Sequence, residues 1–145
     1  MATTQSTEQL IRRMLDLNPR KRVEEPDETT MIDCIEACVD CAQVCTACAD
    51  DSLGQAELRD LIKSITLCLD CTAVCEVTRQ VVTRQTEQDL DLLRAQVNAC
   101  AEACRVCGRE CQRHAAHHEH HRICAEACRR CEAACDRLSK AFSGN

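Results

Sequence analysis

The chain has 145 residues, a formal net charge of −6, 45% hydrophobic residues and only 1% aromatic ones. That length suits one compact domain with a real core and is short for two, while the acidic balance offers no basic surface for nucleic acid. No run approaches the ~20 consecutive apolar residues of a membrane span, so no membrane association is expected.

Cysteine is the anomaly, with 16 in the chain. A secreted disulfide scaffold could account for such a share. The N-terminal MATTQSTEQLIRRMLDLNPRKR, however, lacks the apolar stretch of a secretory signal, and nothing apolar follows Arg12-Arg13 to make a twin-arginine signal. A cytoplasmic location is therefore expected, where thiols stay reduced and a Cys-rich pattern points to metal. With Phe142 the lone aromatic, the interior must be filled by Cys, Leu, Ile, Val and Ala.

Taken in order, residues 1–27 form an N-terminal helix and linker. Leu10, Ile11, Met14, Leu15 and Leu17 share one side of the helix, Ser6 and Gln9 have capping-box spacing, and Pro19 stops it. Residues 18–27, with both prolines and dense charge, read as the linker. This first helix suits a lid or a subunit contact. Residues 28–145 then read as a series of long helices. One runs from about Asp27 to Ala49, with Thr30 and Asp33 spaced as a capping box, and ADDSLGQ breaks it. Ser52 and Gln55 could cap a second helix over about 54–84, with Leu58, Leu61, Ile65, Cys68, Cys71 and Cys75 inward. Thr86 and Asp89 signal a third, whose seam continues through Leu90, Leu93, Val97, Cys100, Cys104, Cys107 and Cys111. The fourth carries Cys124, Cys128, Cys131, Cys135, Leu138 and Phe142, after a turn near 115–121 where the alternation of threes and fours fails. The fold class is thus all-α, an antiparallel up-down four-helix bundle with a short extra N-terminal helix.

Cys34, Cys38, Cys41, Cys45 and Cys48 alternate in steps of four and three. They stand in one row on a helix face, where Leu or Ile would ordinarily form the packing seam. The unit C-x-x-x-C-x-x-C-x-x-x-C recurs in the third and fourth helices, an internal repeat. Cysteines at i,i+3 or i,i+4 have Cβ atoms roughly 5–6 Å apart. That is too far for a disulfide, which needs about 3.5–4.5 Å. It is within reach of one shared ion, since bonds of ~2.3 Å allow sulfurs up to about 4.5 Å apart. Soft thiolates select Cu(I), zinc or iron–sulfur clusters. The rows lack zinc-knuckle turns and iron–sulfur loop spacings, whereas two-coordinate Cu(I) needs only a neighbouring pair. The pattern implies capacity for multiple Cu(I) ions rather than one site. A catalytic thiol or redox pair would need a Cys beside a base or opening a helix, so no enzyme activity is expected.

His114, His117, His118 and His121 share i, i+3, i+4 and i+7 spacing, with His120 off that face, and His114 and His118 continue the third helix's cysteine seam. Imidazole binds copper. In an up-down bundle these residues lie beside Cys45, Cys48, Cys111 and Cys124, making a His-rich end a candidate portal for metal, with His117 and His121 as additional ligands. At that end the second helix would offer Leu58, Leu61 and Ile65, and its Cys68, Cys71 and Cys75 would lie toward the opposite end with Cys34, Cys38, Cys100 and Cys135. Outward Glu36, Asp40, Glu102, Arg105, Glu126 and Arg130 read as a solvated face.

On the repeated cysteine rows, the His-rich connection and the missing export signal, residues 28–142 resemble the bacterial copper storage proteins in their cytosolic form. That resemblance implies a four-helix bundle with inward cysteines binding many Cu(I) ions, and a homotetramer. The second helix, with only three cysteines, departs most from the pattern. A copper chaperone is a possible partner. The alternatives are a zinc or general thiol buffer similar in purpose to metallothionein, and a thiol redox enzyme.

Overall fold

The computed structural model describes residues 3–142, so residues 1–2 of the N-terminal segment and 143–145 of the stretch assigned to the bundle lie outside the described residues. Five α-helices and one 3-10 turn follow in order: α1 (Thr7–Leu17), α2 (Asp27–Leu53), the turn (Leu58–Leu61), α3 (Ile62–Thr83), α4 (Leu90–His114) and α5 (Glu119–Ala141).

Local chemistry sets several of the helix ends. Ser6 Oγ accepts the Gln9 amide at 3.2 Å and the Gln9 side chain accepts the Ser6 amide at 2.7 Å, the reciprocal box expected for α1. α2 is 27 residues long, or about 40 Å at 1.5 Å per residue. Its first turn carries Asp27 and Glu28, which suit the positive end of the helix dipole. The spacing of Thr30 and Asp33 does not mark a cap. Both lie inside the helix, and Thr30 Oγ1 donates to the Pro26 carbonyl at 3.3 Å. Likewise Ser52 does not open the next helix but sits inside the last turn of α2, fully buried. Asp89 caps α4 directly, its carboxylate accepting the Leu92 amide at 2.9 Å.

α2, α3, α4 and α5 pack in cyclic order, each against its two neighbours, as an up-down-up-down ring. Gly108 sets the closeness of α4 to α5: a Cβ there would stand 3.1 Å from the Cβ of Cys128. At the end where α2 begins, the interior is apolar, filled by Met31, Ile32, Val82, Leu93, Val97 and Leu138. α1 and the linker lie over α2 there, with Leu15 and Val23 buried. The buried Glu28 carboxylate anchors them, 3.1 Å from Lys21 and 3.7 Å from Arg12. Leu10, Met14 and Leu17 of α1, at 50%, 70% and 75% exposure, are left facing outward.

Candidate metal centre

Each bundle helix continues its packing seam in sulfur. All 16 cysteines are free thiols and all are buried, including every position expected to face inward. The rows form one column, with Sγ···Sγ contacts of 3.6–4.0 Å running its length. Two of these contacts run along one helix, Cys41–Cys45 at 3.7 Å and Cys71–Cys75 at 3.9 Å. The others cross between helices, as in Cys34–Cys135 at 3.7 Å, Cys45–Cys124 at 3.6 Å and Cys68–Cys111 at 3.7 Å. The natural units are therefore groups drawn from several helices rather than pairs on one row. Cys38/Cys100/Cys131/Cys135, Cys41/Cys45/Cys71/Cys128, Cys41/Cys75/Cys104/Cys131, Cys45/Cys107/Cys124/Cys128 and Cys48/Cys68/Cys111/Cys124 each gather four Sγ atoms within 4.8 Å of one another. With metal–sulfur bonds near ~2.3 Å, sulfurs about 3.8–4.0 Å apart suit three- or four-coordinate ions, and about 4.5 Å suits linear two-coordination. Shared members such as Cys41, Cys45 and Cys124 link one group to the next.

The register of α3 differs from the sequence expectation. Cys68 joins Cys48, Cys111 and Cys124, the group nearest the histidines, whereas Cys75 meets Cys100 at 3.8 Å, the one α3 thiol in the expected company, and also Cys104 at 3.8 Å. The thiols of α3 thus line the His end and the middle, and the opposite end has Thr78 and Val82 in their place, both fully buried. The cause is the long connection 54–61. α2 runs on to Leu53 and the 3-10 turn delays α3 to Ile62, so Cys68 comes level with Cys48. Leu58 is exposed and Ile65 only partly buried, and the inward position between Leu61 and Cys68 belongs to Ser64.

Hydrogen bonding among thiols spreads their acidities. Hydrogen bonds with Cys135 and Cys38 lower the Cys34 thiol to about 5, and one with Cys104 lowers Cys71 to about 7, both against the cost of burial. The Cys38 thiol, hydrogen-bonded to Cys100 and Cys131, is pushed up. In the Cys34–Cys135 contact the Cys135 thiol is pushed up while that of Cys34 is lowered.

The histidines do not lie on one helical face, because the chain turns between α4 and α5. His114 ends α4, with Nε2 3.2 Å from the buried Glu110 carboxylate. Burial works against the charge on Glu110, but hydrogen bonds with Arg113 and His114 hold its carboxyl below the usual range. His117 is exposed in the turn, and His118 precedes α5 at its N-cap. His121 is fully buried, its ring 5.1 Å from His114, 5.5 Å from His118 and 4.4 Å from His120. Burial first, then repulsion from His120, His114 and His118, lowers its pKa to about 4, so the ring is neutral at pH 7. His120, placed off the face by spacing, is part of this cluster, with Nε2 3.2 Å from Ser52 Oγ. Ser52 and Ser64, which hydrogen-bond His120 and His121, are the neighbours of this cluster that the sequence does not single out. The signal was present, since each sits one helical step beyond the last cysteine of its row, at i+4 from Cys48 and i−4 from Cys68.

A chain-wide comparison with known families and structures agrees with this geometry. The family model described as copper storage protein matches residues 27–140. The copper storage protein Ccsp from Streptomyces lividans, solved loaded with 10 copper equivalents, is 45% identical with a TM-score of 0.86, over 90% of this chain and 98% of that one. A structure of copper loading to a cytosolic copper storage protein from Streptomyces lividans, with five coppers, is 49% identical with a TM-score of 0.78, over 82% and 97%. A Streptomyces lividans Ccsp variant with two histidines changed to alanine is 48% identical with a TM-score of 0.77, over 78% and 95%. No curated protein matches the chain.

Proposed function

We propose, since this chain belongs to the copper storage protein family, that it sequesters multiple Cu(I) ions on the thiolates of Cys34, Cys38, Cys41, Cys45, Cys48, Cys68, Cys71, Cys75, Cys100, Cys104, Cys107, Cys111, Cys124, Cys128, Cys131 and Cys135. The observation that carries this reading is the continuous buried column of thiols in mutual contact at 3.6–4.0 Å. Each thiol that takes up metal gives up its proton, so loading releases protons. Neighbouring groups share sulfurs, which suits thiolates bridging several ions over isolated sites. The role is storage rather than catalysis, and the cytosol is its setting.

Metal enters at the His end. The opposite end is closed by apolar side chains and covered by α1, whereas here the column gives way to His114 and His121, one helical step from Cys111 and Cys124, with the His118 ring 5.5 Å from His121. Exposed His117 serves at most as an outer contact. Replacing His114 and His118 together should slow Cu(I) uptake in a stopped-flow transfer experiment, and unchanged rates would remove the portal.

The deciding experiment is a titration of reduced protein against a Cu(I)-selective chelator. Many Cu(I) per chain are expected, and one or a few would sink the storage reading. A zinc or general thiol buffer is the second reading, because groups of four sulfurs at this spacing also suit a tetrahedral ion. Zinc that resists displacement by Cu(I) would favour it.

The chain assembles as a homotetramer and receives copper from a chaperone. The exposed Leu10, Met14 and Leu17 of α1 supply an apolar face that a subunit contact would cover. Met14→Glu with Leu17→Glu should then lower the mass measured by light scattering, without loss of helical circular dichroism.

A further inference from the structure

At the His end each bundle helix places one polar residue on its seam, in step with its cysteines: Ser52, Ser64, His114 and His121. Among them His121 is fully buried, and its Nδ1 has no hydrogen-bond partner. Its Nε2 lies 2.9 Å from Ser64 Oγ, and that hydroxyl in turn donates to the Leu61 carbonyl at 3.1 Å. A hydroxyl has one proton to give. With that proton on Leu61, Ser64 can only accept from His121, so the neutral ring carries its proton on Nε2. The opposite tautomer would draw the hydroxyl proton away from Leu61. It would also leave an N–H on Nδ1 buried with nothing to accept it, a group that folded proteins rarely leave unpaired.

We infer that Ser64 is a positioning residue for metal intake: it holds His121 as the Nε2–H tautomer, which leaves the Nδ1 lone pair as the buried ligand that passes Cu(I) to the first thiol group. The inference rests on the storage reading for the identity of the metal. His121 precedes Cys124 by one helical step of three residues, and Cys124 belongs to the Cys48/Cys68/Cys111/Cys124 group. An imidazole ligand whose other nitrogen donates to an oxygen has its tautomer and ring angle set by that partner. The chain Leu61 carbonyl, Ser64 hydroxyl, His121 Nε2–H has this form, and it draws its members from the turn before α3, from α3 and from α5.

Long-range proton–nitrogen NMR of 15N-labelled, reduced, metal-free protein tests this without copper. His121 should be protonated at Nε2, and a ring protonated at Nδ1 overturns the inference. In Ser64→Ala the ring should lose that single tautomer. Transfer of the first Cu(I) from a Cu(I)–chelator complex should slow by roughly tenfold, with the total Cu(I) bound unchanged. Ser64→Thr, which keeps the hydroxyl, should restore both readouts. An alanine variant with wild-type tautomer and wild-type transfer rate also overturns it. A low total Cu(I) count in the wild type would sink storage alone, because the tautomer is read on the metal-free protein.

Discussion

Gly108 shows how finely the column is built at the scale of one residue. A methyl group there would meet the Cys128 Cβ at 3.1 Å, closer than ordinary van der Waals contact, so Gly108→Ala must push α4 from α5. Overpacking of this kind costs about 1–3 kcal/mol. The variant should melt earlier by circular dichroism and hold fewer Cu(I), because Cys107 and Cys128 share a thiol group. Thr78 invites the opposite change. It is fully buried, follows Cys75 at the next seam position of α3, and its hydroxyl serves only to donate to the Val74 carbonyl at 2.7 Å and accept from the Gln96 amide at 2.9 Å. Thr78→Cys should extend the α3 row toward the Cys34 end and raise the Cu(I) bound per chain in the chelator competition. No rise would mean that a further thiol at this end seats no additional ion. All 16 cysteines were legible as inward-facing from spacing alone, since a three-four alternation leaves a helix face little choice. Ser52 and Ser64 were not, because a small polar residue at a helix end is as easily a cap as a seam residue.

The elements differ in how much tertiary contact fixes them. α1 ends at Leu17, two residues before Pro19, as its local signal predicts, and α2 begins at about the expected Asp27 without the Thr30–Asp33 box. The end of α2 and the start of α3 obey packing instead. Ser52 and Gln55 have a capping-box spacing, yet burying Ser52 against His120 keeps the last turn of α2 helical. The delay moves every α3 cysteine toward the histidines. α1 and the linker are held to the bundle through Glu28, whose carboxylate is buried between Lys21 and Arg12. Glu28→Ala would remove the carboxylate that Lys21 and Arg12 share and leave a small void beneath the linker. The expected result is a lower melting temperature with unchanged Cu(I) capacity, since Glu28 touches no thiol. On the outer face, Arg130 ties α5 to α2 through Asp40 at 2.5 Å and Glu36 at 3.5 Å. Exposed pairs of this kind contribute at most about 1 kcal/mol.

For the whole molecule, side chains alone fill the interior of the bundle. They are cysteines, small bodies that pack into the core, with Leu, Ile, Val and Met closing the end beneath α1. Metal-free protein should therefore show full helical circular dichroism, unlike a chain that folds only around its metal. Copper should then stabilise it further by linkage. With free Cu(I) at 100 times the dissociation constant of one site, the gain is about 2.7 kcal/mol, seen as a rise in melting temperature. A disordered metal-free chain would count against a preformed column. The polarity of the molecule follows from its two ends. One is apolar and covered, the other lined by serine and histidine.

Periodicity along the chain is enough to place the helices, their up-down bundle and the sulfur on their seams, and the softness of a thiol narrows the cargo to a thiophilic metal. These are properties of single helices and single side chains. Only the tertiary structure decided which cysteines meet, that Cys68 joins the His-end group, that His121 rather than an exposed ring is the buried histidine, and that Ser64 holds it. The physical reason is that these facts depend on the axial offset between neighbouring helices. That offset is set by an irregular connection, residues 54–61, and by the close approach of α4 and α5 at Gly108, neither of which leaves a periodic mark in the chain.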